Sequence, residues 1–198
     1  MFNIKEFNKF FIFLIILTLF TCIFFIPTTT PKNSNIEIID YEATDNLLWP
    51  APNYYRINSY FGKRTAPTSG ASTYHKGIDI GAPEGSSFIA VTDGTITFAD
   101  FLGGGGYTIT ITDSNKENGE IKYSYCHCNP NFLVEVGDTV IKGQIIGNVG
   151  PKYVYGVPGN KYTDSTGKPT NGATTGPHLH FGMRINDSYV NPLDYLPY

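Results

Sequence analysis

Near the C-terminus, Thr175-Gly176-Pro177-His178-Leu179-His180-Phe181 places two of the chain's four histidines two residues apart. A strand sends residues i and i+2 to one face, about 7 Å apart. One imidazole can then hold a metal while the other faces whatever sits on that metal. On such a strand Leu179 and Phe181 turn to the core and both histidines to the opposite face. His75-Lys76-Gly77-Ile78-Asp79 adds a histidine and a carboxylate four apart, a nitrogen and an oxygen that suit Zn²⁺. Gly77, and Gly81-Ala82-Pro83 after it, place that pair on a short extended piece with a turn behind it. The fourth histidine, His127, stands in Tyr123-Ser124-Tyr125-Cys126-His127-Cys128. Strand alternation there predicts Tyr123 and Tyr125 on the face of His127, with Cys126 and Cys128 pointing away as small apolar fillers. The two thiols and the imidazole cannot all converge on one metal from such a strand.

The elements that must position these groups read as β structure. Gly (21), Tyr (14), Phe (14) and Pro (13) are abundant, and no stretch beyond residue 46 keeps a helical apolar period for three turns. Runs with strand character fall at Arg56–Tyr60, Ser87–Val91, Gly94–Asp100, Tyr107–Thr112, Ile121–His127, Gln144–Val149 and His178–Ile185, nearly all separated by Gly, Pro, Asn or Asp. Tyr107–Thr112 alternates, with Ile109 and Ile111 on one face and threonines on the other, and Gly103–Gly106 makes a tight turn before it. The fold class is all-β, a two-sheet sandwich or open barrel with a groove, spanning residues 47–198. Residues 151–173 contain no clear strand and form an unusually long loop leading into the His178/His180 strand.

Residues 1–46 differ in kind. Lys5 and Lys9 precede an apolar run over residues 10–26, which reads as a transmembrane anchor in preference to a cleaved signal or a lipoprotein. The lysines leave residues 1–9 cytoplasmic and the C-terminal domain extracytoplasmic, with a polar linker over 27–46. Net charge is −3 and no basic block occurs, so no nucleic-acid partner is expected. Three cysteines make no disulfide framework.

Taken together and in order, these elements resemble a lysostaphin/LytM-type zinc metallopeptidase. The matching residues are Ser59-Tyr60-Phe61-Gly62-Lys63-Arg64, His75 to Asp79, Tyr125-Cys126-His127, Gly137 to Gln144, Gly176 to Phe181 and Val190-Asn191-Pro192, from about Leu48 to the end of the chain. The resemblance implies a groove with one zinc held by His75, Asp79 and His180 and a fourth position left open. It implies His178 and His127 as the catalytic pair beside the zinc, without deciding which is the general base. It implies peptides of bacterial peptidoglycan as substrate. The alternative from another class is a domain used as an extracytoplasmic scaffold or binding partner, for example in sporulation. The 151–173 loop is longer than the family pattern and is expected to form a lid or a protein-partner surface. Some relatives are held latent by an upstream asparagine, for which Asn46 and Asn53 are available.

Overall fold

In the computed structural model, residues 47–114 and 119–198 are described. The anchor and linker expected over residues 10–46, and Asn46, lie outside them. Among the described residues no helix is long and apolar enough to cross a membrane.

Those residues form strands β1 (Ile57–Ser59), β2 (Gly62–Lys63), β3 (Tyr74–His75), β4 (Ile78–Ile80), β5 (Ser87–Ile89) and β6 (Gly94–Phe101). They continue as β7 (Tyr107–Asp113), β8 (Ile121–Cys126), β9 (Thr139–Val140), β10 (Ile145–Asn148), β11 (Leu179–Ile185) and β12 (Ser188–Val190). The all-β reading holds. An eight-stranded sheet runs β1-β4-β11-β8-β7-β6-β9, with β12 on β11; β5–β10 and β2–β3 make two further pairs. The short strands β2, β9 and β12 fall outside the runs with strand character, while β3 and β4 make the short extended piece expected around His75 and Asp79; at two or three residues each they are too brief to show a period.

The central strands behave as their alternation dictates. Ile109, Ile111, Tyr123, Tyr125, Leu179, Phe181 and Met183 are all buried in one core cluster. Phe88 of β5 stacks on Tyr125 at 5.3 Å between ring centroids, so the β5–β10 pair covers this face of the large sheet. Phe181 also meets Tyr125 edge to face at 5.2 Å. The opposite face carries hydroxyls, histidines and glycines, and it becomes the groove. Phe181→Ala would empty the core directly behind His180. It is expected to cost about 3–5 kcal/mol, read as a lower denaturant midpoint at unchanged slope.

Candidate metal centre

The strand β11 delivers His180, and its neighbours on both sides complete the site. On β4, Asp79 is the cross-strand partner of His180. His75 comes from β3, three residues before β4 begins. The residue that permits this crossing is Gly77. A Cβ there would lie 2.4 Å from the Phe181 carbonyl and 2.8 Å from His180 Nε2. The glycine inside His75–Asp79 is therefore a steric requirement of the site. Gly77→Ala is expected to push the His180 ring aside and weaken metal binding about tenfold or more, measured by competition with a chromogenic chelator, with the fold retained in its circular dichroism.

Three donor atoms converge. His75 Nε2 lies 2.9 Å from His180 Nδ1. Asp79 Oδ1 lies 3.0 Å from His75 Nε2 and 2.8 Å from His180 Nδ1. A tetrahedral zinc with bonds of about 2.0–2.1 Å spaces its ligands about 3.3–3.4 Å apart, so each side of the triangle need open by only about 0.4 Å. Orientation is set from behind. His75 Nδ1–H donates to the Tyr60 carbonyl at 2.9 Å, which leaves the Nε2 lone pair aimed at the cluster. Arg64 Nη1 donates to Asp79 Oδ2 at 3.0 Å and to Ser59 Oγ at 2.7 Å, so Oδ1 is the oxygen left free for a cation. Burial alone would raise the Asp79 pKa; the close contacts of its carboxylate with the His178, His180 and His75 rings outweigh it and hold the carboxyl far below the usual range. Burial, in turn, holds His180 below the ordinary imidazole value, so that the neutral ring has a nitrogen lone pair to offer a cation. Among the described residues, a buried nitrogen, a carboxylate and a second nitrogen meeting at one point form a donor set that fits a divalent zinc.

His178 and His127 stand beside this triangle. His178 Nε2 is 3.4 Å from Asp79 Oδ1. Its Nδ1–H donates to the Gly176 carbonyl at 2.9 Å. The His127 ring sits 4.7 Å from that of His178, centroid to centroid. His127 Nδ1–H donates to the Asn171 carbonyl at 2.7 Å. Burial, reinforced by the charge of His178, pushes the His127 pKa well below its usual value. All four histidines and Asp79 thus line one groove of about 890 Å³.

The alternation expected through His127 fails, for a local reason. Strand β8 ends at Cys126, and His127 takes a left-handed φ of 59°. Such a backbone in a non-glycine residue stores strain on the order of 1–3 kcal/mol. It turns the imidazole out of register. Tyr123 and Tyr125 therefore lie in the core, Cys126 lines the groove opposite His180, and Cys128 is buried in the core. The two thiols point to opposite sides instead of sharing one. Burial raises the Cys126 pKa to about 11 and that of Cys128 well above its usual value, so both remain thiols at neutral pH.

The long loop supports the site from its C-terminal end. Asn171 is wholly buried; it accepts from Tyr107 N at 2.8 Å, donates to the Cys128 carbonyl at 2.9 Å, and presents its own carbonyl to His127. Further back, the Tyr162 ring meets the position where a Gly70 Cβ would stand at 2.9 Å, and its hydroxyl meets that of Gly104 at 3.3 Å. Tyr162 therefore bridges the 65–72 turn and the Gly103–Gly105 turn. Sequence reasoning assigned no role to Arg64, Ser59 or Asn171. The first two carried a signal in Ser59-Tyr60-Phe61-Gly62-Lys63-Arg64; Asn171 carried none. Asn53 is exposed, at φ 72°, and does not line the groove.

Comparison with known proteins points to one group. The model of peptidase family M23 matches residues 73–192. DD-carboxypeptidase/endopeptidase Mpg of Neisseria meningitidis is 36% identical over 140 residues, covering 71% of this chain and 27% of that protein. Murein hydrolase activator NlpD of Salmonella dublin is 34% identical over 175 residues, covering 86% of this chain and 38% of that protein. The chain thus spans between about a quarter and two fifths of the length of these relatives. Among solved structures, a zinc-containing peptidase from Vibrio cholerae superposes with a TM-score of 0.56 at 27% identity, covering 75% of this chain and 40% of the other. The catalytic domain of lysostaphin from Staphylococcus simulans gives 0.52 at 26% identity, covering 71% of this chain and 91% of the other.

Proposed function

The chain belongs to peptidase family M23, and from that premise we propose that it is a zinc metalloendopeptidase cleaving peptide crosslinks or stem peptides of peptidoglycan. The observation that carries this reading is the convergence of His75 Nε2, Asp79 Oδ1 and His180 Nδ1 within about 3 Å of one another, with two further imidazoles beside them. His75, Asp79 and His180 hold the metal. A bound zinc supplies Lewis-acid polarisation of a water and of the scissile carbonyl. Every other part of the reaction falls to the chain's own groups. Because Nδ1 of both His178 and His127 is committed to a carbonyl, each neutral ring offers only its Nε2 lone pair to the groove. We assign acceptance of the attacking water's proton to His178, whose Nε2 stands 3.4 Å from the ligating carboxylate. Once protonated, that Nε2–H donates to the leaving amine. His127, kept neutral by burial, offers its Nε2 lone pair to the nucleophile from the other side and so orients it. Arg64 and Ser59 hold Asp79 in its ligating rotamer.

The domain would meet its polymer outside the membrane, held there by residues 10–26, a placement that rests on the amino-acid sequence. A second reading is favoured by one finding, the likeness to a protein named murein hydrolase activator. In that case the domain binds a partner hydrolase, and the loop over 151–173, with Tyr155 69% exposed, is the surface offered to it. The two separate in one experiment. Purified chain is incubated with peptidoglycan alone, and the released fragments are read by mass spectrometry for new peptide termini. New termini produced by the chain alone support the endopeptidase. Release that occurs only when a separate murein hydrolase is added, with no new peptide termini from the chain alone, supports the activator.

A further inference from the structure

The groove continues past the metal centre along β11, and its far end has a chemistry of its own. Phe181 and Met183 point to the core, so His180, Gly182 and Arg184 share the groove face. At about 3.3 Å per residue, Arg184 lies about 13 Å along the strand from His180. Between them Gly182 has no side chain and Ser124 stands opposite it on β8, while the Lys76 carbonyl borders the groove there, 3.1 Å from where a Gly182 Cβ would stand. Beyond it, Arg184 Cζ lies 5.5 Å from the centre of the Tyr189 ring, and Lys76 Nζ lies 4.7 Å from the same ring. One tyrosine thus seats two cations at the mouth of the groove, the aromatic face fixing both without neutralising either.

Nearby carboxylates answer these charges only in part. Asp187 is 72% exposed and reaches Arg184 Nη1 at 3.8 Å, while it lies nearer to Lys122, at 3.1 Å. Lys122 is further engaged by Glu120. Among the described residues no carboxylate pairs with Lys76. Arg64, the other arginine of the groove, is committed to Asp79 and Ser59. The Lys76–Arg184 end is therefore the part of the groove with cationic charge to offer a ligand.

We propose that Lys76 and Arg184, seated on Tyr189, form a subsite for a carboxylate of the peptide substrate, about four extended residues from the bond that is cut. Arg184 supplies a planar fork that can take a carboxylate through two parallel N–H groups, and Lys76 a movable point charge beside it. The spacing selects peptides that carry a carboxylate at that reach, whether a chain terminus or an acidic side group. The subsite rests on the metallopeptidase reading for its substrate but not for its chemistry.

The test is binding and cleavage measured side by side on the zinc-loaded full-length chain. The probes are fluorescein-labelled peptidoglycan stem peptides with all carboxylates free, with the terminal one amidated, with the side-chain ones amidated, or with both. Fluorescence anisotropy is expected to show the free form binding about tenfold tighter than the fully amidated one. The partly amidated peptides identify which carboxylate is read. Lys76→Gln with Arg184→Gln should bring the ratio to about one. Lys76→Gln alone, at an exposed position, should lose about threefold, and Arg184→Lys, which keeps the charge but not the fork, should lose more than that while keeping some preference. Equal binding of free and amidated peptides by the wild-type chain, or a tenfold preference persisting in the double variant, would overturn the subsite. A carboxylate preference without any cleavage would uphold the subsite and count against the endopeptidase.

Discussion

In Asp79→Ala, zinc is expected to fall from one equivalent per chain to under about a tenth, and cleavage to vanish with it. Asp79 supplies the anionic member of the donor triangle; without it His75 Nε2 and His180 Nδ1 remain as two neutral donors. Two nitrogens hold zinc far more weakly than a set of three that includes a carboxylate. Loss of a group that merely supports a ligand already costs about 10–100-fold in affinity, so loss of a ligand costs more. The substitution also strands Arg64, whose Nη1 gives its second hydrogen bond to Asp79 Oδ2 and whose Nε is buried without a partner. Some destabilisation will therefore accompany metal loss. Asp79→Asn separates the two effects, because it keeps the shape and removes the charge. Metal analysis after dialysis should show both variants empty, while thermal melting should show Asn closer to the wild type than Ala. Full zinc occupancy in Asp79→Asn would remove this carboxylate from the ligand set.

The second large effect is in His178→Ala. Here zinc should stay at one equivalent, and kcat should fall about 10²–10⁴-fold, the usual contribution of a positioned acid–base group. The argument is positional. His178 touches Asp79 Oδ1 at 3.4 Å but is outside the tight triangle, and its Nδ1 is pinned by Gly176 in a turn that Thr174 Oγ1 closes by donating to the same carbonyl at 2.7 Å. The ring is thus held for proton transfer. A metal-free His178→Ala would make it a ligand; a fully active one would remove it from the chemistry. His178→Gln is a further check. It can hydrogen-bond to substrate but cannot accept a proton, so it should be nearly as slow as alanine.

Much of this arrangement is legible in the amino-acid sequence. His178-Leu179-His180 announced its facing by simple alternation, and the strand does send Leu179 and Phe181 inward. The threonine and isoleucine faces of β7 followed the same rule. Alternation failed one residue past the end of β8, at His127. A left-handed residue has no signature when its type is histidine, and the hydrogen bond that holds it there comes from Asn171, 44 positions away. The two-residue β2 shows no period, whereas His75–Asp79, on β3 and β4, reads as a short extended piece. What the sequence does not show is that Gly77 is needed in space, because a Cβ there would run into the Phe181 carbonyl and the His180 ring. The long loop reads in the sequence as a lid or a partner surface; what the sequence does not show is that its C-terminal end also supports the site, with Asn171 presenting its carbonyl to His127 and Tyr162 meeting two turns.

The most direct test of the central claim is a zinc titration of activity. The chain is stripped with a chelator, dialysed, and titrated with zinc while new peptide termini in peptidoglycan are counted. The account predicts no cleavage at zero zinc, a linear rise to one equivalent and a plateau there. Cleavage that survives the stripping, or a chain saturated with one zinc that cuts no peptide bond, would contradict it.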